Sequence, residues 1–230
     1  MCRRVPPRPV FLLLVAALGL LPACTSAAQK VVHTSLEEAA GENDALAVAD
    51  ALEALIAAGL DTKADRQFAY NTVRARPVDT AAYCFARAVV TGRLVQQKGL
   101  LGADKVSEVE HYARRSRQLD PNFRDGAATR MLGTLYVVAP AALLRHGDSE
   151  TGIELLEELV EKRPDVLENQ LRLAEGYIAL GDHGSAKGPL CIAANGRSRL
   201  RRDDQALLTQ LFKDAGNPRC EKASAAKPAP

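Results

Sequence analysis

Leu173-Ala174-Glu175-Gly176-Tyr177-Ile178-Ala179-Leu180-Gly181-Asp182-His183-Gly184-Ser185-Ala186-Lys187-Gly188-Pro189-Leu190-Cys191-Ile192-Ala193 is the stretch that decides the fold. Leu173, Ala174, Tyr177, Ala186, Leu190 and Ala193 place small and large apolar groups at helical spacing on either side of a turn at Gly181. The spacing predicts two helices packed face to face. Such a hairpin cannot bury its apolar face alone, so one copy predicts stacked neighbours.

This spacing resembles the tetratricopeptide repeat, which implies an all-α, right-handed solenoid. Other copies extend it in both directions. Leu132, Gly133 and Tyr136 repeat the first-helix pattern, and Gly152, Leu156, Leu159 and Pro164 supply a second helix. Small Gly133 and Gly152 would let the two helices approach while Leu132, Tyr136, Leu156 and Leu159 fill the space beside them. The connection between them, Val137 to Asp148, is long for such a repeat. Upstream, Val109, Ala113 and Ser116 precede the helix end Leu119-Asp120-Pro121-Asn122, and Gly59, Ala64 and Phe68 mark an earlier turn. Four helix pairs result, at about 45–77, 78–121, 125–164 and 167–195, with a capping helix near 203–214 over the last pair. Gly188-Pro189 falls inside the last second helix, where proline removes a hydrogen bond and predicts a kink or a delayed start. An irregular bundle of antiparallel helices remains open as the alternative architecture.

The N-terminus addresses the compartment. Arg3, Arg4 and Arg8 precede an apolar run from Val10 to Leu21 that ends in Leu-Pro-Ala-Cys at 21–24. The run is too short to cross about 30 Å of hydrocarbon as a helix. It resembles a bacterial lipoprotein signal peptide, residues 1–23, with cleavage before Cys24 and diacylglyceryl transfer to its thiol. Several acyl chains give a firm anchor, since each buried methylene contributes about 0.8 kcal/mol. Pro22 is unusual at its place, and a plain secretory signal is the alternative. Thr25 and Ser26 carry no acidic residue, which favours the outer membrane with the domain facing the periplasm. Residues 24–34 then read as a tether, 35–215 as the helical domain, and the Ala/Pro/Lys-rich 216–230 as a disordered tail.

Without the signal's three arginines, 27 of the 30 basic residues remain against 28 acidic ones, a net charge of −1. Such a balance excludes a nucleic-acid binder on compositional grounds. Cys84 lies in an apolar helical run and reads as a small buried hydrophobe. Cys191 and Cys220 are a candidate disulfide in an oxidising envelope, although spacing alone does not fix connectivity. His33, His111, His146 and His183 are scattered, so no metal or cofactor is expected. There is no HExxH, GxSxG or phosphate loop, and the acidic residues of 154–161 read as a solvated helix face, so catalysis is not expected.

A narrower likeness rests on Asp125-Gly126-Ala127, Met131-Leu132-Gly133-Thr134-Leu135-Tyr136, Pro140, Asp148 and the 154–164 helix. These residues resemble the tetratricopeptide-repeat T-component lipoproteins associated with TRAP-type tripartite transporters. The likeness implies a helical periplasmic lipoprotein that partners a solute-binding protein and holds apolar ligands in a pocket or pore. It supplies no catalytic residue.

In a solenoid of this kind the first helices line the concave face. Here that face would present Arg130, Thr134, Val137, Leu171, Glu175 and Ile178, a mixture suited to a peptide or an amphiphilic small molecule. Pro140 to Leu144 is apolar for a connection and reads as packing. Arg197, Arg199, Arg201 and Arg202 lead into Asp203 and Asp204, which reads as a solvated helix start with acids at its favourable end. The expected role is a membrane-anchored scaffold that binds a protein partner. The alternatives are a carrier or sensor of a small amphiphile, and an accessory lipoprotein for pilus or secretion assembly.

Overall fold

A computed structural model describes residues 31–220. The predicted signal peptide, Cys24 and most of the tether lie outside the described residues, as does 221–230.

The described residues are all-α. Ten helices follow in order: α1 (Thr34–Gly41), α2 (Ala45–Ala58), α3 (Lys63–Arg74), α4 (Ala81–Lys98), α5 (Val106–Leu119), α6 (Ala127–Val138), α7 (Ser149–Lys162), α8 (Leu167–Ala179), α9 (His183–Asn195) and α10 (Arg202–Asp214). Short 3-10 turns at Gly99–Lys105, Ala141–Leu143 and Arg197–Arg199 connect some of them. The starts are written locally. Asp44, Thr80, Asp148 and Asp182 each accept a backbone N–H of the first turn that follows, satisfying donors that a helix end leaves free. Thr62 and Asp65 form a reciprocal capping box. Gly59 closes α2 in the left-handed region at φ 70°, where glycine carries no side-chain penalty.

Helices α2/α3, α4/α5, α6/α7 and α8/α9 pack as successive pairs. Each second helix also packs on the first helix of the next pair: α3 on α4, α5 on α6, α7 on α8. The first helices meet one another as well, α2 with α4, α6 with α8 and α8 with α10. Ala88 of α4 joins Leu132 and Tyr136 of α6 in one buried cluster. Helix α10 then packs on α2, so the line of first helices returns to its beginning.

Leu36, Leu52, Tyr70, Val73, Tyr83 and Val90 belong to a core beneath the first two pairs, and Leu171, Leu190 and Leu208 to a second one beneath α8–α10. Buried Arg87 lies 4.6 Å over the Tyr70 ring and pairs with Glu108 of α5, linking three helices with one guanidinium. Between α6 and α7 the approach is backbone to backbone: a Cβ on Gly152 would stand 2.8 Å from the Gly133 carbonyl oxygen. Leu132 and Leu156 are fully buried at this crossing.

Three observations depart from the sequence expectations, and the candidate disulfide is formed. Helix α1 occupies ground assigned to the tether and the start of the domain. It is held because buried Asp65 accepts from the His33 backbone N–H and faces His33 Nδ1, both at 2.8 Å, while Leu36 enters the core. Helix α9 begins at His183 and runs through Pro189 without interruption; the proline leaves one carbonyl, that of Ser185, without its helical donor. Of the segment read as a tail, 216–220 is anchored, with the Asn217 N–H donating to the Phe212 carbonyl at 2.7 Å. Cys220 is bonded to Cys191, with 5.4 Å between their Cα atoms. Cys84 is a buried free thiol whose pKa burial pushes up.

Candidate binding face

The first helices and α10 share a face that is crossed by charge. At the junction of α2, α4 and α10, Glu53 accepts from Arg93 Nε at 2.5 Å and Nη2 at 2.6 Å, and from Arg201 Nη1 at 2.7 Å. Arg201 also donates to the Glu53 carbonyl oxygen at 3.1 Å and to both oxygens of Asp203 at 3.2 Å. Arg202 Nη1 reaches the Ala58 carbonyl oxygen, at the end of α2, at 3.0 Å. Burial pushes the Glu53 carboxyl up, but the Arg93 and Arg201 guanidiniums outweigh it and hold the group below its ordinary value.

Further along the face, Arg172 of α8 bridges Glu175 at 2.9 Å and Asp204 at 2.6 Å. Asp204 is buried, and desolvation lifts its pKa despite Arg172. Arg130 of α6 is set differently. Its Nη1 donates to Asn169 Oδ1 at 2.7 Å, and among the described residues no carboxylate pairs with it. Desolvation lowers its pKa. Because a guanidinium only donates, Asn169 must turn its oxygen to Arg130, and its Nδ2, fully buried, has no partner among the described residues. The spare donors of Arg130 and the amide of Asn169 thus meet without an acceptor between them. An arriving carboxylate or carbonyl oxygen is the chemistry that would satisfy them.

The six residues expected on a concave surface separate into three kinds. Arg130 and Glu175 are on the charged face, Glu175 already engaged by Arg172. Thr134 spends its hydroxyl on the Arg130 carbonyl oxygen at 2.9 Å, one turn back in its own helix. Leu171 is not a surface group: it is fully buried among Leu190, Ala193 and Leu208, because α9 and α10 cover that side of α8. Ile178 packs against the same cluster. Val137 is half-buried, and its methyl is in reach of Gly152 and Gly176, which places it between α6, α7 and α8.

The residues that sequence reasoning missed are Glu53, Arg93, Asn169, Arg172, Arg201, Asp203 and Asp204. Arg201 and Arg202 are not merely solvated; they tie α10 to α2. The adjacency of Arg201-Arg202 to Asp203-Asp204 was the available signal, but nothing local pointed to Glu53. Pro140 to Leu144 contributes packing through Leu144, half-buried against the Leu132 and Tyr136 cluster.

Among the described residues no helix is long and apolar enough to cross a membrane. No family model and no curated protein matches the chain.

Proposed function

We propose that the chain is a lipid-anchored envelope scaffold of tetratricopeptide type, built as a right-handed solenoid and held at the outer membrane through Cys24. Its first-helix face receives an acidic group of a protein partner, for which the solute-binding protein of a TRAP-type transporter is the leading candidate. The alternating packing of pairs supports the architecture, since repeat arrays bury each hairpin against the next. One observation carries the binding role: Arg93, Arg172 and Arg201 each have a carboxylate on this face, and Arg130 has none.

The test is a crosslinked pull-down of the full-length lipoprotein from native envelope, read by mass spectrometry, for the wild type and Arg130→Gln. Recovery of a solute-binding protein or transporter subunit, lost in Arg130→Gln, is the expected result. Absence of any stable partner would overturn the scaffold role.

A second reading, a carrier of a small amphiphile, is favoured by the ion pairs that join α10 to α2 and cross the face where an extended peptide would lie. A bound molecule in the organic extract of the purified protein is its expected sign.

A further inference from the structure

The four most exposed large apolar side chains among the described residues are Leu100 at 94%, Leu101 at 88%, Val31 at 77% and Leu60 at 59%. All four stand at one end of the first two helix pairs. Helix α3 begins just after Leu60, and its first turn carries Asp65, which accepts the backbone N–H of His33, two positions after Val31. Next to Asp65, Arg66 Nη1 donates to the Arg93 carbonyl oxygen at 3.1 Å, close to the C-terminal end of α4. Leu100 and Leu101 follow that end in the turn Gly99–Lys105.

The turn presents these two leucines by its construction. Gly99 leaves α4 at φ 55° and ψ −130°, a conformation that only glycine adopts without a side-chain penalty. A Cβ on Gly102 would stand 3.1 Å from the Val95 Cα, so the chain doubles back closely on the last turn of α4. Leu100 and Leu101 are left at the tip. Of the charges beside them, Asp61 pairs with Arg66 at 2.6 Å and Asp104 with Lys105 at 3.0 Å. Lys98 flanks the leucines, and a lysine stem lies readily along an apolar surface with its ammonium in water.

An exposed apolar cluster of this kind marks contact with a protein or with a membrane. The length of chain before Val31 favours the membrane. Cys24 lies seven residues earlier, and seven residues reach about 25 Å at full extension. An acyl anchor on Cys24 would therefore hold Val31, and the leucines that share its end, beside the bilayer.

We propose that this end of the domain rests on the lipid surface, with Leu100 and Leu101 inserted among the acyl chains at the interface and Leu60 and Val31 beside them. The choice of a bilayer rests on the Cys24 anchor proposed above. Insertion through apolar groups needs no anionic lipid and persists at high salt.

The chain contains no tryptophan, so a single introduced one reports only its own surroundings. Leu101→Trp is compared with Val78→Trp, another exposed position, which lies between α3 and α4 at the opposite end of these pairs. Each full-length variant is reconstituted in phosphatidylcholine vesicles with and without bromine on the acyl chains. Leu101→Trp is expected to lose intensity in the brominated vesicles, at low and at high salt, while Val78→Trp emits alike in both. Equal intensity of Leu101→Trp in the two kinds of vesicle overturns the proposal. Emission that is blue-shifted but unquenched also overturns it, by assigning the leucine pair to a protein contact. Intact mass of the same samples reads the anchor separately. An acylated chain without quenching refutes the insertion alone, and quenching in a chain without acyl groups refutes the anchor alone. Both substitutions fall at exposed positions, so both variants keep the wild-type helical melt.

Discussion

Arg201, at the entrance to α10, is bonded to Glu53 of α2 across 148 positions of sequence, Nη1 to Oε2 at 2.7 Å. Arg93 holds the same carboxylate from α4. One anion therefore joins three helices from opposite ends of the described chain, and its removal would leave two guanidiniums facing each other. Glu53→Gln is expected to cost about 2–4 kcal/mol, below the about 3–5 kcal/mol for a fully buried pair because the three side chains are partly exposed. Arg201→Gln should cost less, because Arg93 still satisfies Glu53. Urea unfolding of the two variants measures both, and equal midpoints for Glu53→Gln and the wild type would sink the assignment.

Stability should fall in acid. Burial raises the Asp65 pKa, but the donors of His33 and Thr62 outweigh it, and the group titrates below its usual 3.8. Glu53 likewise titrates below 4.5. A carboxylate with a depressed folded pKa contributes its full stabilisation above the unfolded value and loses it as the pH falls through the folded one. Asp204 has the opposite sign: its raised folded pKa favours the fold below its unfolded value of 3.8, and that contribution fades as the pH rises. Carboxylates with depressed values outnumber the one raised group, which predicts a declining urea midpoint below about pH 4.5. The decline should be shallower in Glu53→Gln; an unchanged slope would show that Glu53 is not linked to it.

Two glycines should respond to alanine with opposite signs. In Gly152→Ala the new methyl group meets the Gly133 carbonyl oxygen at 2.8 Å and Tyr136 Cβ at 2.9 Å, neither of which can move freely. Overpacking of this kind costs about 1–3 kcal/mol. Gly92, in the interior of α4, would bring an added Cβ only into ordinary contact with a Val109 methyl at 4.0 Å, so Gly92→Ala should stabilise by about 0.5–1 kcal/mol through helix propensity. Thermal melts of the two variants should move in opposite directions.

Reduction of the Cys191–Cys220 bond releases a loop of 29 residues. A chain-entropy estimate for that length is about 3.6 kcal/mol, with strain and residual structure usually lowering it. A lower melting temperature in dithiothreitol is expected, reproduced by Cys191→Ser. Cys84→Ser should not reproduce it.

The four pairs and α10 were legible because each is written in local periodicity, turn glycines and caps. The near-contact of Gly133 and Gly152 was legible for the same reason, as small residues at matching places in paired helices. Helix α1 was not, since its anchor Asp65 lies 32 residues from His33 and reads locally as an ordinary capping residue. Leu171 was misplaced because the apolar stripe of α8 does not announce that α9 and α10 will cover it. Arg130 stood out in the sequence as a groove candidate, but its lack of a carboxylate depends on how every neighbouring acid is spent.

The docking of α10 on α2 fixes how many helix pairs can stand between them among the described residues. Linear repeat arrays lengthen by tandem duplication, because a new unit needs only a neighbour on each side. Here an inserted or deleted pair would displace α10 from α2, separating Arg201 from Glu53. The closing contact thus ties the count of helix pairs among the described residues to the position of a single carboxylate.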